Sequence, residues 1–298
     1  MTDILSELID KTPPTILYHY TTQVGLIGII RGDEIWATHT QYLNDDREYI
    51  HALELVKAEI ARLLDAAPGV AEKRALDEML AAVSGKPQSI NVCVCSFSEN
   101  GDSLAQWSEY GESMSGFSIG FHSKFLSDRA AQERFNLAPC VYEMEDQVTL
   151  VRRLVAKVLS EILEHDYIQE TDENFFHWRH GGNLGVYLHR VAPALKDKAF
   201  REEKEWRIIS RPLMSTGERF GYRPGKSKIT PYYRIPLMND PDRVGEPRIS
   251  RIVVGPTPDS ELSKQSVRSL LSSVHLQNTF TPGGPVQVDA STVPYRSW

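Results

Sequence analysis

Apolar positions along this chain fall into two interleaved kinds of run, some alternating with polar residues and some recurring at helical spacing. Residues 16–22 read ILYHYTT, where Ile16, Leu17, Tyr18 and Tyr20 suit a pleated, half-buried strand. In the following QVGLIGIIRGDEIWATH, Leu26, Ile29 and Ile30 have helical spacing, Thr21 or Thr22 suits the N-cap, and Gly32 stops the helix before EIWATH resumes a strand. Ahead of this unit, MTDILSELIDK places Ile4, Leu5, Leu8 and Ile9 on one side of a short amphipathic helix.

Residues 46–84 predict two helices broken at Pro68–Val70, the first carrying Leu53, Val56, Ile60 and Leu63, the second Leu76, Met79 and Leu80. SINVCVCSFS (89–98) is a buried strand. DSLAQWSEYG is a short polar helix capped by Asp102 or Ser103 and ended by Gly111, and GFSIGF (116–121) is another strand. A long helix covers 145–165, and NFFHWRHGGNLGVYLHRVA is helix broken at Gly181–Gly182. FREEKEWRIIS reads as a strand entered from a charged loop. YYRIPL and RISRIVVG add two more strands, a helix covers 260–272, and the chain closes on an irregular stretch. Strands and helices mix without regular βαβ alternation, and no Gly-rich phosphate loop follows a strand. The expectation is α+β rather than a doubly wound nucleotide fold.

Composition narrows this only a little. With 298 residues, 41% hydrophobic and 24% charged, the chain is an ordinary soluble globular one, and no repeat or low-complexity linker divides it. A net charge of -7 argues against bulk-charge attachment to nucleic acid while leaving room for a local basic groove. No apolar run approaches the roughly 20 residues of a membrane helix, and the N-terminus lacks the apolar core of a signal peptide. Of the three cysteines, Cys93 and Cys95 alternate within an apolar run. Together with Cys140 they read as buried, reduced thiols of a cytoplasmic protein rather than a metal framework.

Three stretches carry candidate chemistry. His19 sits mid-strand between two tyrosines, and on its own residues packing is the favoured reading over binding. Ser96 and Ser98 are two apart and share a strand face, while Trp107 and Tyr110 are three apart on one helix face. That aromatic pair either packs on the sheet or forms a stacking floor for a planar, cationic ring. In REEKEWRII, an extended backbone would point Glu203, Glu205 and Arg207 to one side, either as a solvated edge or as carboxylates placed to stabilise an oxocarbenium-like centre. Two carboxylates two apart on one strand point the same way, which disfavours a glycosidase working from opposite faces of a sugar. His177 and His180 have a chelating spacing but no acidic partner at motif distance, and no metal is expected. Asn44, in YLNDDREY, is either a helix cap or, with Asp45, a pocket residue.

The order of these stretches adds to their content. LYHYTT, LIGIIRGDEIWATH, YLNDDREY, SFSENGDSLAQWSEYG, GFSIGF, AFREEKEWRII and the closing VPYR closely resemble the bacterial family called domain of unknown function 2971, over nearly the whole chain. That family in turn resembles a remote branch of the ADP-ribosyltransferase superfamily, whose pattern is a first-strand His, an aromatic after a later strand and a Glu on a further strand. The resemblance implies one ADP-ribosyltransferase-like domain over 1–298, a split mixed β-sheet with helical insertions at about 46–84 and 145–198. It implies NAD as the substrate cleaved. His19, with Tyr20 or Thr21 as its polar neighbour, would hold the adenosine-side ribose. Tyr110, or Trp107, would stack on nicotinamide, and Ser96 and Ser98 stand at the place of a serine–aromatic–serine motif. Glu205 would stabilise the charge on the ribose, and Glu203 would orient or deprotonate the acceptor. A macromolecular acceptor or water, a cytoplasmic toxin or phage-defence role and an antitoxin partner follow by the same analogy. A non-catalytic module keeping the same pocket is the rival.

Overall fold

In the computed structural model the described residues are 4–9, 11–43, 47–66, 68–84, 90–110, 116–165, 182–225, 227–237, 248–274, 276 and 284–294. The fold is α+β. Among the described residues ten strands join one sheet: β1 (Ile16–Thr21), β2 (Glu34–His39), β3 (Cys93–Ser98), β4 (Phe117–His122), β5 (Asn136–Pro139), β6 (Glu205–Ile209), β7 (Phe220–Pro224), β8 (Ile229–Pro236), β9 (Ile249–Val254) and β10 (Gln287–Ala290). The main path runs β10-β9-β4-β1-β3-β2-β8-β7, with β6 joining β3 to β5 off that path. Only the β9–β10 pair is parallel, so the sheet is mixed.

The centre of the sheet has an unusual branch. β6 occupies one edge of β3 along its length, from Val94↔Ile209 to Ser98↔Glu205. The other edge is shared: β2 pairs its beginning at Thr38↔Val94, and β1 touches its end at Tyr18↔Ser98. The sheet therefore parts between β1 and β2, opposite Ser96.

Both faces of β3 are covered, which accounts for its unbroken apolar run. Cys93, Cys95 and Phe97 join Leu17, Trp206 and Ile208 in a core closed by α2 (Gln23–Gly32), α6 (Ser123–Gln132) and α9 (Ser260–Ser273). Val92, Val94 and Ile209 join the opposite core, closed by α1 (Ile4–Leu8), α3 (Arg47–Asp65), α4 (Val70–Ser84), α7 (Met144–His165) and α8 (Gly182–Val191). The two predicted helical stretches thus pack on one another over a single face. Cys93, Cys95 and Cys140 are free and buried, and burial pushes the Cys93 thiol up to about 12. Among the described residues no helix is long and apolar enough to cross a membrane.

Several elements depart from the sequence expectation for local reasons. α2 runs through Gly32, and the left-handed residue that ends it is Asp33 (φ 49°), a residue whose short polar side chain tolerates that region. Thr22 is the N-cap, its Oγ1 accepting the Gly25 N–H at 3.1 Å. β5 and β10 are too short to show alternation, and Gly221 and Pro224 in β7 disguise an edge strand. The closing stretch is not wholly irregular, because β10 lies within it.

α5 (Leu104–Tyr110) shows how caps are chosen. Ser103 occupies the N-cap, its carbonyl accepting the Trp107 N–H at 2.9 Å. Asp102 instead accepts the Trp107 indole N–H (2.8 Å), the Ser291 hydroxyl (2.5 Å) and both the backbone N–H and hydroxyl of Thr292 (2.7 and 2.8 Å). One carboxylate thereby ties the segment after β10 to the start of α5.

Candidate functional site

A cleft of about 1380 Å³ opens where β1 and β2 part. Its walls come from the end of β1, the first turns of α2, the outer face of β2, the starts of α3 and α7, the turn before β6, and β7. His19, Thr21, Ser96, Glu203 and Glu205 all border it, so the first-strand histidine and both candidate carboxylates share one space.

His19 occupies the parting itself. Its Nδ1 lies 2.9 Å from the Ser96 carbonyl oxygen, at the point where β3 lacks a full neighbour. A carbonyl only accepts, so Nδ1 carries the proton and Nε2 is left as the acceptor nitrogen. Burial holds the imidazole below its ordinary 6.5, against the pull of the Ser96 hydrogen bond and with the help of nearby Arg223. Between the folded and unfolded values the unfolded chain binds a proton that the folded chain refuses. Stability is therefore expected to be flat above pH 6.5 and to decline below it, a slope shared with His39, His122 and His189, which burial also lowers. Urea unfolding from pH 5 to 8 measures it, and His19→Gln should make the decline shallower.

Glu205 stands at the centre of a buried ion network. Arg207 donates to it from Nε (2.8 Å) and Nη2 (3.0 Å), and Lys196 Nζ from 2.6 Å. Arg207 also grips Glu48 of α3 (2.7 and 2.9 Å) and the Pro193 carbonyl (2.7 Å). Burial by itself would raise the Glu205 carboxyl, but Arg207 and Lys196 outweigh it and hold the group at about 2. Its backbone is fixed as well: the N–H donates to the Tyr142 hydroxyl at 2.8 Å, and the carbonyl accepts the Cys140 N–H at 2.8 Å. The result is a carboxylate that stays ionised at any ordinary pH.

Glu203 reaches the same point by a route other than the expected one. Residues Lys198–Glu203 form a 3-10 turn, Lys204 is left-handed (φ 45°), and the strand begins only at Glu205. The two carboxylates are therefore not strand neighbours on one face. Lys196 brings them together, its Nζ 2.5 Å from Glu203 Oε2 and 2.6 Å from Glu205 Oε2.

Other candidates lie elsewhere or serve packing. Trp107 is fully buried against Tyr20, ring centroids 4.7 Å apart, and does not reach the cleft. Ser98 spends its hydroxyl by donating to the Glu203 carbonyl (2.7 Å) and accepting the Asn100 N–H (3.1 Å), so it holds the turn rather than a ligand. Tyr20 borders the cleft, but its hydroxyl donates to the Asn100 carbonyl (2.8 Å) and accepts the Ser103 N–H (2.9 Å). Tyr20→Phe is expected to cost about 1–3 kcal/mol by orphaning both groups, and an unchanged urea midpoint would show that this hydroxyl does not hold the 100–103 turn. Thr21 packs its Oγ1 against Gly25, where an added Cβ would approach it to 1.9 Å. The side chain of Tyr110, and Asn44, Asp45, His177 and His180, lie outside the described residues.

The structure also brings in residues that sequence spacing left unmarked: Lys196, Glu48, Tyr142, Trp36 and Arg223. Glu48 carried a faint signal, since a carboxylate on the apolar side of a predicted helix wants a partner. The others carried none, because each belongs to a different element.

Fold and site together define an α+β protein with a cleft at a sheet parting, walled at one end by the ionised Glu205 carboxylate and the side chains that hold it. Over residues 106–208 the chain is similar to the family described as "Protein of unknown function (DUF2971)". That span contains the Lys196–Glu203–Glu205–Arg207 group but neither His19 nor Arg223. No curated protein and no solved structure matches the chain.

Proposed function

We propose that the chain is an ADP-ribosyltransferase-like enzyme that cleaves the nicotinamide–ribose bond of NAD and passes ADP-ribose to a macromolecule or to water. The observation that carries this reading is the shared cleft, which has a neutral histidine at one wall and two lysine-bridged carboxylates at the other. His19 Nε2 would accept a ribose hydroxyl. As the C–N bond breaks, its electron pair leaves with nicotinamide and positive charge builds on the ribose. Glu205, already ionised, would stabilise that charge. Glu203 would take the proton of the attacking hydroxyl and release it to solvent. Of the aromatic candidates Tyr110 is the one retained for nicotinamide. The toxin or phage-defence setting, an antitoxin partner and a cytoplasmic location are carried by resemblance alone.

The direct test is chromatography of NAD incubated with purified protein. Free nicotinamide is expected, and its absence over a range of acceptors would overturn the reading. One observation favours a second reading. Glu205 already receives three strong donors from Arg207 and Lys196, as a purely structural group would. On that reading the cleft binds a nucleotide without turning it over, and calorimetry would show NAD binding with no nicotinamide released.

A further inference from the structure

Arg223 is a cation of this cleft that the mechanism does not use. It reaches in from the edge strand β7, half-buried, and makes no ion pair among the described residues. On the strands Arg207 and Arg251, and just before strands Arg219 and Arg248, each find a carboxylate. A guanidinium taken partly out of water without a counter-charge is costly unless something anionic visits it. Burial holds it below its ordinary value, in keeping with that shortage.

Its position is well fixed. Nη2 donates to Thr38 Oγ1 at 2.9 Å, and the guanidinium lies 5.7 Å from the centroid of the Trp36 ring. Trp36 is itself stacked on Tyr232, centroids 4.3 Å apart and planes 26° apart. Because Thr38 accepts from Arg223, its own hydroxyl proton is left to donate, and the remaining guanidinium N–H groups form the planar fork that suits phosphate oxygens. Beside them the first turn of α2 borders the same space, and at Gly28 a side chain would meet nothing within 4 Å. With Val24 beside it, the open surface at Gly28 leaves room for a bulky ligand in the cleft that Arg223 also borders.

Charge along the cleft has a direction. At the far end Glu48, Glu203 and Glu205 stand with Lys196 and Arg207, whereas at the Arg223 end the bordering carboxylate of Glu34 accepts the Trp36 indole N–H at 2.9 Å and makes no ion pair with Arg223. The complementary ligand is anionic at one end and carries or develops positive charge at the other. We propose that Arg223 and Thr38 form a phosphate subsite that takes the diphosphate of a dinucleotide while its other end faces the carboxylates. This rests on the nucleotide reading of the cleft given above.

The test is calorimetric titration of the full chain with inorganic pyrophosphate, NAD and nicotinamide riboside, the last lacking any diphosphate. Arg223→Gln is expected to weaken pyrophosphate and NAD about 10- to 100-fold, as for loss of charge-assisted hydrogen bonds, with nicotinamide riboside unchanged. Arg223→Lys should recover only part of the loss, and Thr38→Val should show a smaller one, which keeps the test alive if the glutamine variant folds poorly. Pyrophosphate bound through Arg223 by a protein that ignores NAD would support the subsite and sink the NAD reading. NAD cleaved with an unchanged KM in Arg223→Gln would overturn the subsite alone. Wild-type protein that fails to bind pyrophosphate would overturn it too.

Discussion

Arg207→Met is expected to lower the unfolding free energy by about 3–5 kcal/mol, the cost of stranding buried carboxylates rather than of losing an attraction. Arg207 is only 4% exposed, and its guanidinium serves Glu205, Glu48 and the Pro193 carbonyl at once. Removing it leaves Glu205 with Lys196 and the weak Cys140 thiol donor, and Glu48 with no replacement for two short hydrogen bonds. Urea unfolding measures the loss, and the double variant Arg207→Met, Glu48→Leu should recover part of it because one orphan has gone. The pH dependence supplies a second readout. Glu205 has its folded pKa depressed from 4.5 to about 2, so its contribution is present above pH 4.5 and lost as pH falls through 2. With Arg207 gone, burial acts with less opposition and the loss should begin at higher pH. A variant within about 1 kcal/mol of wild type, the scale of a surface pair, would mean that the network is solvated.

How much of this could be read from the sequence depends on how local each signal was. β1, α2, β3 and the helices α3, α4 and α7 follow from periodicity, because their apolar faces are wide and their lengths ordinary. β5, β7 and β10 escape notice because four or five residues, interrupted by Gly or Pro in β5 and β7, carry no period. Strand pattern alone would not show the sheet parting at Ser96, since that depends on β1 and β2 sharing one edge of β3. The same limit applies to the site. Glu203 and Glu205 stood out as charges beside an apolar strand, yet their actual relation is set by Lys196, nine residues before Glu205 and in another segment. Trp107 looked available because a polar helix suggests exposure. Asp102 accepts its indole N–H and Tyr20 covers its ring, so the aromatic is spent on packing. A pattern records which face a residue shares. It does not record what the opposite element brings to that face.

Under the proposed function, Glu205→Gln is expected to reduce nicotinamide release about 10²–10³-fold, the scale of removing one preorganised group that stabilises developing charge. The amide is isosteric with the carboxylate but cannot neutralise an oxocarbenium-like ribose. It also withdraws the negative partner shared by Lys196 and Arg207, so some destabilisation accompanies it. The measurement must therefore separate a poorly folded enzyme from a disabled one. NAD affinity by calorimetry and the urea midpoint, taken on the same preparation, do this: binding should persist while turnover falls. Glu203→Gln supplies the contrast, because Glu203 is assigned to the acceptor and ends a turn rather than opening a strand. It should depress transfer to a macromolecule more than release of nicotinamide to water. Lys196→Met tests the link between them, since without that ammonium the two carboxylates have no common donor to hold them together. Both activities should then fall together. If Glu205→Gln keeps its full rate of nicotinamide release, Glu205 belongs to the packing of the helical layer on the sheet, and any chemistry in this cleft must be sought at Glu203.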